Sequence, residues 1–244
     1  MIKLEHVVLA SPEQMEFIIE GMRNAMNSWN KSDSYENYEV EYDDDLPGIE
    51  IHHPYFRVGA GDHSLMQRLA NAGTDHRKFM RMMPVYVRIT APLYWWKEFD
   101  TYKVGTVANS CSTMHKIQDH ILSLEDFSCE HLSAHSIELL DAQINEINKA
   151  ILYFREHNDK EDWWQIIQLL PSSYNQTRNV MLNYEVLANI YKSRKNHKLD
   201  EWCVHKIPEE HEFRNKDFSS GMWGFCDWIE ELPYSELICD IKED

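Results

Sequence analysis

Glycine and closely spaced cysteines are scarce in this sequence. Its 244 residues include 8 glycines, and no G-x-G-x-x-G, Walker A, H-E-x-x-H or G-x-S-x-G pattern occurs. A glycine-rich phosphate cradle is therefore excluded. The 5 cysteines are odd in number, widely spaced and without a C-x-x-C pair. This spacing indicates neither a disulfide scaffold nor a zinc ribbon.

Positively charged residues and long apolar runs are also scarce. The chain has 24 Lys and Arg against 41 Asp and Glu, a net charge of -17. So acidic a surface repels nucleic-acid backbones, which argues against general DNA or RNA binding but leaves room for one locally basic pocket. No stretch approaches the roughly 18 consecutive apolar residues of a membrane span. The first residues indicate a strand rather than a signal peptide, so we expect a cytoplasmic globular protein.

Apolar and aromatic residues are abundant instead. Hydrophobic residues make up 43% of the chain and aromatic residues 12%. Such a composition excludes disorder over most of the length and supplies a sizeable core. No internal repeat or low-complexity linker divides the sequence. It therefore predicts one α+β domain over residues 1–244.

Hydrophobic periodicity and capping signals place the elements of this domain. The pattern predicts a strand over 2–10, a helix over 11–29 opened by Ser11-Pro12-Glu13, a polar acidic loop or insertion over 30–61, and a helix over 63–73. It further predicts a strand that runs into an apolar segment over 84–96, helices over 133–157 and 177–195, and a short helix in the tail. The strand at 84–94 should be central in a mostly antiparallel sheet, with the two later helices beside it.

Two stretches carry polar side chains that suit a ligand. The first holds Thr101, Thr106, Asn109, Ser110, Cys111, Ser112 and Thr113, and indicates either a ligand pocket or a polar loop that caps a helix. The second is the helix predicted over 177–195. There Asn183 and Arg194 stand eleven residues apart, close to three turns, which places them on one face of the predicted helix. Arg178 and Asn189 repeat the spacing on a different stripe. Such groups bind a base or a phosphate, or they are simply solvated.

A metal site is the weaker alternative at two places. Cys129, His131 and His135 have ligand-like spacing, but further ligands are missing, so an ordinary helix start is favoured. The Asp43-Asp44-Asp45 run indicates a solvated loop rather than a cation site. We therefore expect no metal.

The order of several motifs resembles that of the flavin-dependent thymidylate synthases. Ala91-Pro92 and Trp95-Trp96 precede residues 101–113, which align with the family signature R-H-R-x-x-S-x-N-E-x-S-x-R. His76 falls on a family histidine before the strand, and Ser28 falls near the end of the first helix. Asn183, Asn189 and Arg194 fall on two asparagines and an arginine of the late helix.

The resemblance implies the thymidylate synthase-complementing-protein fold and a homotetramer whose clefts are built from several subunits. It also implies FAD as cofactor, a dUMP-like substrate, methylenetetrahydrofolate as carbon donor and NADPH as reductant. No protein nucleophile is implied, because the flavin carries the chemistry. The implied cofactor-binding residues are Ser28, His76, Tyr102, Lys103, Asn109, Asn183 and Asn189. The implied substrate-binding residues are Cys111, Ser112, Thr113 and Arg194.

The signature itself is altered at its defining positions. Thr101 stands for the first Arg, Tyr102 for the His and Thr113 for the last Arg, while Lys103 keeps a positive charge. Two interpretations follow. One is a divergent enzyme that transfers a one-carbon unit to C5 of a pyrimidine nucleotide. The other is a non-catalytic relative, for example virus-borne, that binds or sequesters a nucleotide or acts as an interaction scaffold.

Overall fold

The computed structural model describes residues 2–42, 50–205 and 224–242. The strands are β1 (Lys3–Leu9), β2 (Tyr35–Tyr42), β3 (Glu50–Arg57), β4 (Pro84–Pro92), β5 (Val107–Ser110) and β6 (Asn175–Asn183). The helices are α1 (Pro12–Arg23), α2 (Ala60–Ala70), α3 (Lys78–Met82), α4 (Leu93–Phe99), α5 (Thr113–Lys116), α6 (Ala134–His157), α7 (Lys160–Leu169), α8 (Tyr184–Arg194), α9 (Phe225–Glu230) and α10 (Glu236–Cys239). No helix of these residues is both long and apolar enough to cross a bilayer.

Four strands form an antiparallel sheet in the order β1-β4-β6-β5. The central position predicted for the strand near 84–94 is confirmed, although β4 ends at Pro92 and the tryptophans that follow belong to α4. One face of the sheet is buried in the main core. On the other face, Val8, Tyr86, Met181 and Val107 form one cross-strand row. Three of these four side chains are exposed, so the row is an apolar surface.

The helix predicted over 177–195 is wrong in its first part. Residues 175–183 form β6, which pairs with β4 from Asn175 opposite Pro92 to Asn183 opposite Pro84. Burial alternates along its last residues, with Val180 and Leu182 inside and Met181 between them partly exposed. Pairing with an inner strand therefore outweighs the local helical pattern. The helix begins only at Tyr184, where the side chain of Asn183 caps it by accepting a hydrogen bond from Val186 N.

The polar range predicted as a loop contains a second, two-stranded sheet. β2 and β3 pair along their whole length, with Tyr35 opposite Arg57 at the open end. Tyrosine and valine alternate with acids in β2, a period of two that fits a strand exposed on both faces. The acidic Asp43-Asp44-Asp45 run lies outside the described residues.

Local signals place the other helices more accurately. Ser11 caps α1, as the sequence predicts, and the structure adds a capping box with Gln14. The helix ends at Arg23 rather than near 29, and two short 3-10 turns follow it, with Asn27 in the left-handed region between them. Helix α6 matches its predicted bounds within one residue and begins after the cap Ser133.

The core has two parts. The main cluster unites the sheet with α1, α4, α8 and the tail helices, around Trp95 stacked on Trp202 at 4.4 Å between ring centroids. The second cluster holds the buried face of α6 together with α7 and residues 117–127. No strand residue is among the buried members of this second cluster, so the interior side of α6 packs on helices and turns rather than on the sheet.

Candidate functional site

A polar pocket opens between the segment before α3, helix α8 and the end of the described chain. Its volume is about 590 Å³. The lining residues are Ala72, Gly73, Thr74, Asp75, His76, Arg77, Ala188, Asn189, Tyr191, Lys192, Lys195, Ile238, Cys239, Ile241 and Lys242. Ligand clefts commonly measure about 300–1,000 Å³, so the pocket has the size of a ligand site. We call it the basic pocket.

Positive side chains dominate the charge of the basic pocket. Arg77, Lys192, Lys195 and Lys242 line it, and among the residues that the structure describes Asp75 is the one acidic lining residue. Arg77 is held in place because its Nε donates to the Ala70 carbonyl at 2.5 Å. This concentration of cations is the reverse of the whole chain, whose net charge is -17. The pocket is therefore suited to an anionic ligand.

The thiol and the phenol of the pocket wall, Cys239 and Tyr191, are poor nucleophiles. Burial raises the pKa of the Cys239 thiol to about 12, and the nearby carboxylate of Glu230 adds to the effect. Burial also raises the pKa of Tyr191, whose hydroxyl donates to Glu230 Oε1 at 2.6 Å. Both groups are therefore protonated at neutral pH. The pocket is arranged for binding rather than for attack by a thiolate or phenolate.

Two of the residues predicted from the sequence meet in the basic pocket. His76 lies in the segment before α3, and Asn189 is an exposed residue of α8. Both belong to the predicted cofactor-binding set. They offer an imidazole and an amide beside the cations, groups that donate and accept hydrogen bonds.

Arg194 lies in a different environment, at the end of α8. Its Nε donates to the Tyr102 hydroxyl at 2.9 Å, and its Nη1 contacts Glu98 Oε2 at 2.5 Å. The guanidinium carbon is also 5.1 Å from the ring centroid of the buried Trp202. Arg194 follows Asn189 by five positions along α8, which places the two side chains roughly 140° apart around the helix axis. The two residues therefore face different sides of α8.

The prediction that Asn183 and Arg194 share one helical face is wrong, because Asn183 is the last residue of β6. Even so, both lie against the start of the signature stretch. Gly105 has φ +79, and a Cβ built there would be 3.0 Å from Asn183 Nδ2. Arg194 reaches Tyr102 of the same stretch. This part of the signature is an internally bonded turn, in which the Thr106 hydroxyl donates to the Tyr102 carbonyl.

The remaining predicted residues lie apart from both places. Asn109 is on β5 and pairs with Asn179 of β6. Its side chain lies next to Val107 on the sheet face that is turned away from the main core, which we call the outer sheet face. Ser112 caps the short helix α5 by accepting from His115 N at 3.1 Å, and Thr113 is the first residue of that helix. The last residues of the polar stretch 101–113 therefore cap a helix, which is one of the two interpretations that the sequence allows for this stretch.

Cys111, Lys103 and Ser28 complete the predicted set. Cys111 is exposed, and its carbonyl accepts from Gln176 Nε2 at 2.9 Å. Lys103 is exposed in the signature turn. Ser28 follows the first 3-10 turn, where its carbonyl accepts from Arg23 Nη1 at 3.3 Å. Within one chain, the predicted set is therefore distributed over several surfaces.

The metal alternative at Cys129, His131 and His135 is not assembled. His131 contacts Asp200 Oδ2 at 3.2 Å, whereas His135 contacts Glu138 of its own helix at 3.7 Å. Cys129 packs against the second core cluster. The three side chains point to different partners.

Comparison with known proteins rests on structure alone, since no family model and no curated protein sequence matches the chain. The flavin dependent thymidylate synthase ThyX from Helicobacter pylori, solved in complex with FAD and dUMP, superposes with a TM-score of 0.57. The match covers 99% of each chain at 15% identity. The chain has the fold of the flavin-dependent thymidylate synthases. A second Helicobacter pylori ThyX structure with FAD and dUMP matches with a TM-score of 0.56 and 14% identity, over 98% of this chain and 95% of the other.

Most of the basic pocket was not predicted from the sequence. Arg77, Lys192, Lys195 and Lys242 were not among the predicted residues. A local signal did exist, because residues 192–198 contain three lysines and an arginine without any acid. Such a run is unusual in so acidic a chain, and it marks the end of α8 as a basic surface.

Proposed function

We propose that this protein binds a phosphate-bearing nucleotide in the basic pocket, with FAD as the expected ligand. The observation that carries the proposal is the convergence of Arg77, Lys192, Lys195 and Lys242 on one pocket of a strongly acidic chain. Lysine and arginine are the side chains that hold phosphate groups through charge-assisted hydrogen bonds. The ThyX-like fold supports FAD, since the two ThyX structures that match were solved with it.

The pocket fits the anionic part of FAD better than the isoalloxazine ring. Its cations suit the diphosphate, and His76 and Asn189 supply polar groups for a ribose or a base. Tyr102, which the resemblance assigns to the flavin, does not line the pocket and is engaged with Arg194. Bound FAD would supply hydride and electron transfer, while the residues of this chain bind and orient it.

Transfer of a one-carbon unit to a dUMP-like nucleotide is the second candidate function. It is supported by the nearly complete overlap with ThyX structures that contain dUMP. The position of Arg194 beside the signature turn favours it too, because the guanidinium could hold a phosphate or a base oxygen. Against it stand the Thr101 and Thr113 substitutions and the ion pair that already occupies Arg194. Binding without turnover therefore has the stronger support.

We propose that the complete site is built in a homotetramer. The outer sheet face carries the exposed row of Val8, Tyr86 and Val107, a surface suited to burial against another copy. Asn109 lies on this same face, whereas α8 contributes its apolar side to the core on the other face. A neighbouring chain is then needed to bring the predicted residues of both faces to one ligand.

Calorimetric titration of the purified protein with FAD, dUMP and other nucleotides tests the binding proposal. We expect FAD to bind and Lys195→Gln to weaken it about 10–100-fold, the loss of one charge-assisted contact worth about 1.5–3 kcal/mol. Lys149→Gln is the matched control, because Lys149 is an exposed residue of α6 that pairs with Glu146. Equal FAD affinity in the wild type and Lys195→Gln, or no nucleotide binding at all, would contradict the proposal.

Turnover is measured separately, with dUMP, methylenetetrahydrofolate, NADPH and FAD. Formation of dTMP would establish the second candidate function. Binding of FAD without dTMP formation would leave the nucleotide-binding function alone.

A further inference from the structure

The turn after α8 brings together three side chains that carry different metal-binding atoms. Asp200, Cys203 and His205 each offer one ligand atom, and these atoms all lie within 4.8 Å of one another. Over residues 2–42, 50–205 and 224–242, they are the one group of this kind. We propose that these three residues form a binding site for a divalent transition-metal ion, with Zn²⁺ as the best match.

The choice of metal follows from the donor atoms. A sulfur, an imidazole nitrogen and a carboxylate oxygen are ligands that Zn²⁺ accepts together in tetrahedral sites. Mg²⁺ and Ca²⁺ prefer oxygen ligands alone and are disfavoured by the cysteine. Three protein ligands leave the fourth tetrahedral position for water or another donor. His131, which contacts Asp200 Oδ2 at 3.2 Å, stands next to the group.

A buried carboxylate orients the histidine of this group. Asp227 is 4% exposed, and its Oδ2 contacts His205 Nδ1 at 2.5 Å. The other oxygen of the same carboxylate accepts from the His205 backbone at 2.9 Å. With Nδ1 donating to Asp227, Nε2 keeps a lone pair. A carboxylate that fixes the ring of a histidine ligand is a usual feature of metal sites.

The backbone around the group is rigidly packed. Gly224 is so close to this turn that an added Cβ would be 2.3 Å from the Cys203 carbonyl oxygen and 2.6 Å from that of Asp200. Gly224 N donates to Asp227 at 2.7 Å, and Val204 N donates to the Lys195 carbonyl at 3.0 Å. Trp202, fully buried in the main core, anchors the turn between two of the ligands. The ligands are therefore held in place by groups that are not ligands themselves.

This site differs from the one that the sequence spacing suggested, and it departs from the expectation that no metal is bound. Cys129 and His135 take no part, whereas His131 points to Asp200. The proposal is independent of nucleotide binding, because none of its three residues lines the basic pocket.

Cobalt(II) titration of the metal-free full chain, followed by absorption spectroscopy, tests the site. We expect one cobalt per chain, with the intense d–d bands of tetrahedral geometry and a thiolate-to-cobalt charge-transfer band that added zinc removes. The charge-transfer band should disappear in Cys203→Ser and remain in Cys129→Ser, the matched control. Asp227→Asn, if folded by circular dichroism, should weaken the metal affinity about 10–100-fold.

Two results would overturn the proposal. One is a wild-type spectrum that shows no tetrahedral cobalt. The other is a charge-transfer band that persists in Cys203→Ser or is lost in Cys129→Ser, since the thiolate ligand would then be a different cysteine.

Discussion

Replacing Asp62 by alanine removes a carboxylate of α2 that accepts hydrogen bonds from the end of α1 and from the residues just before the β2–β3 hairpin. Asp62 is fully buried, and Arg23 Nε contacts its Oδ1 at 2.6 Å. The other oxygen accepts from the hydroxyls of Ser32 and Ser34, each at 2.7 Å, and from the backbone of Asp33 at 3.1 Å. One carboxylate thus satisfies several donors at once.

The expected cost follows from what the substitution leaves behind. Arg23 is 6% exposed, so Asp62→Ala leaves a guanidinium buried without its carboxylate. Breaking a buried ion pair in this way costs about 3–5 kcal/mol. In a chain of this size each kcal/mol shifts the melting temperature by about 2–4 °C, so we expect a fall of about 6–20 °C. Ser28 should lose order as well, because Arg23 also donates to its carbonyl.

Thermal unfolding followed by circular dichroism measures the effect. Asp119→Ala is the control, because Asp119 pairs with Lys116 on the exposed surface, where such pairs contribute little. A melting temperature for Asp62→Ala that equals that of Asp119→Ala would show that the buried ion pair of Asp62 and Arg23 does not stabilise the fold.

The same carboxylate gives the stability a defined pH dependence. Burial alone raises the pKa of Asp62, but the hydrogen bonds from Ser32, Ser34, Arg23 and Asp33 outweigh it and hold the pKa below its ordinary 3.8. A lowered folded-state pKa stabilises the protein above the unfolded-state pKa, and this contribution is lost as the pH falls through the folded value. The difference in unfolding free energy between wild type and Asp62→Ala should therefore shrink below pH 3.8. A difference that stays constant on acidification would contradict this assignment.

Three further substitutions test the signature turn, the outer sheet face and the Arg194 ion pair. Gly105→Ala should lower the melting temperature through about 1–3 kcal/mol of strain, since its φ of +79 is combined with a close approach to Asn183; an unchanged melting temperature would contradict this. Val107→Glu should dissociate the proposed tetramer in light scattering, whereas a wild type that already has the 29.0 kDa mass of one chain would refute the tetramer. Glu98→Gln should release Arg194 and tighten dUMP binding about 10-fold in calorimetry, and no gain would show that the ion pair does not compete with the nucleotide.

The elements that the sequence predicts well are those specified by neighbouring residues. Ser11 with Gln14 sets the start of α1, and Ser133 with a regular apolar stripe sets α6. β6 was missed because its partners, β4 and β5, lie far away in the chain and decide its conformation. The hairpin was missed because its side chains are mostly exposed and many of them are charged, so the short alternation of Tyr38 and Val40 with acids in β2 was interpreted as a polar loop.

The candidate site was also predicted only in part, because its residues come from segments that lie far apart in the chain. The motif order pointed to His76 and Asn189, which do meet in the basic pocket, and to Tyr102 and Arg194, which meet elsewhere. The cations of the pocket come from three separate segments, and folding alone brings them together. No local pattern could have joined Lys242 to the others.

A crystal structure of the protein grown with FAD tests the central claim most directly. We expect the FAD diphosphate to lie in the basic pocket, within hydrogen-bonding distance of at least two of Arg77, Lys192, Lys195 and Lys242. Asn189 or His76 should contact the remaining nucleotide. FAD bound at a different surface, with the basic pocket filled only by solvent, would contradict it.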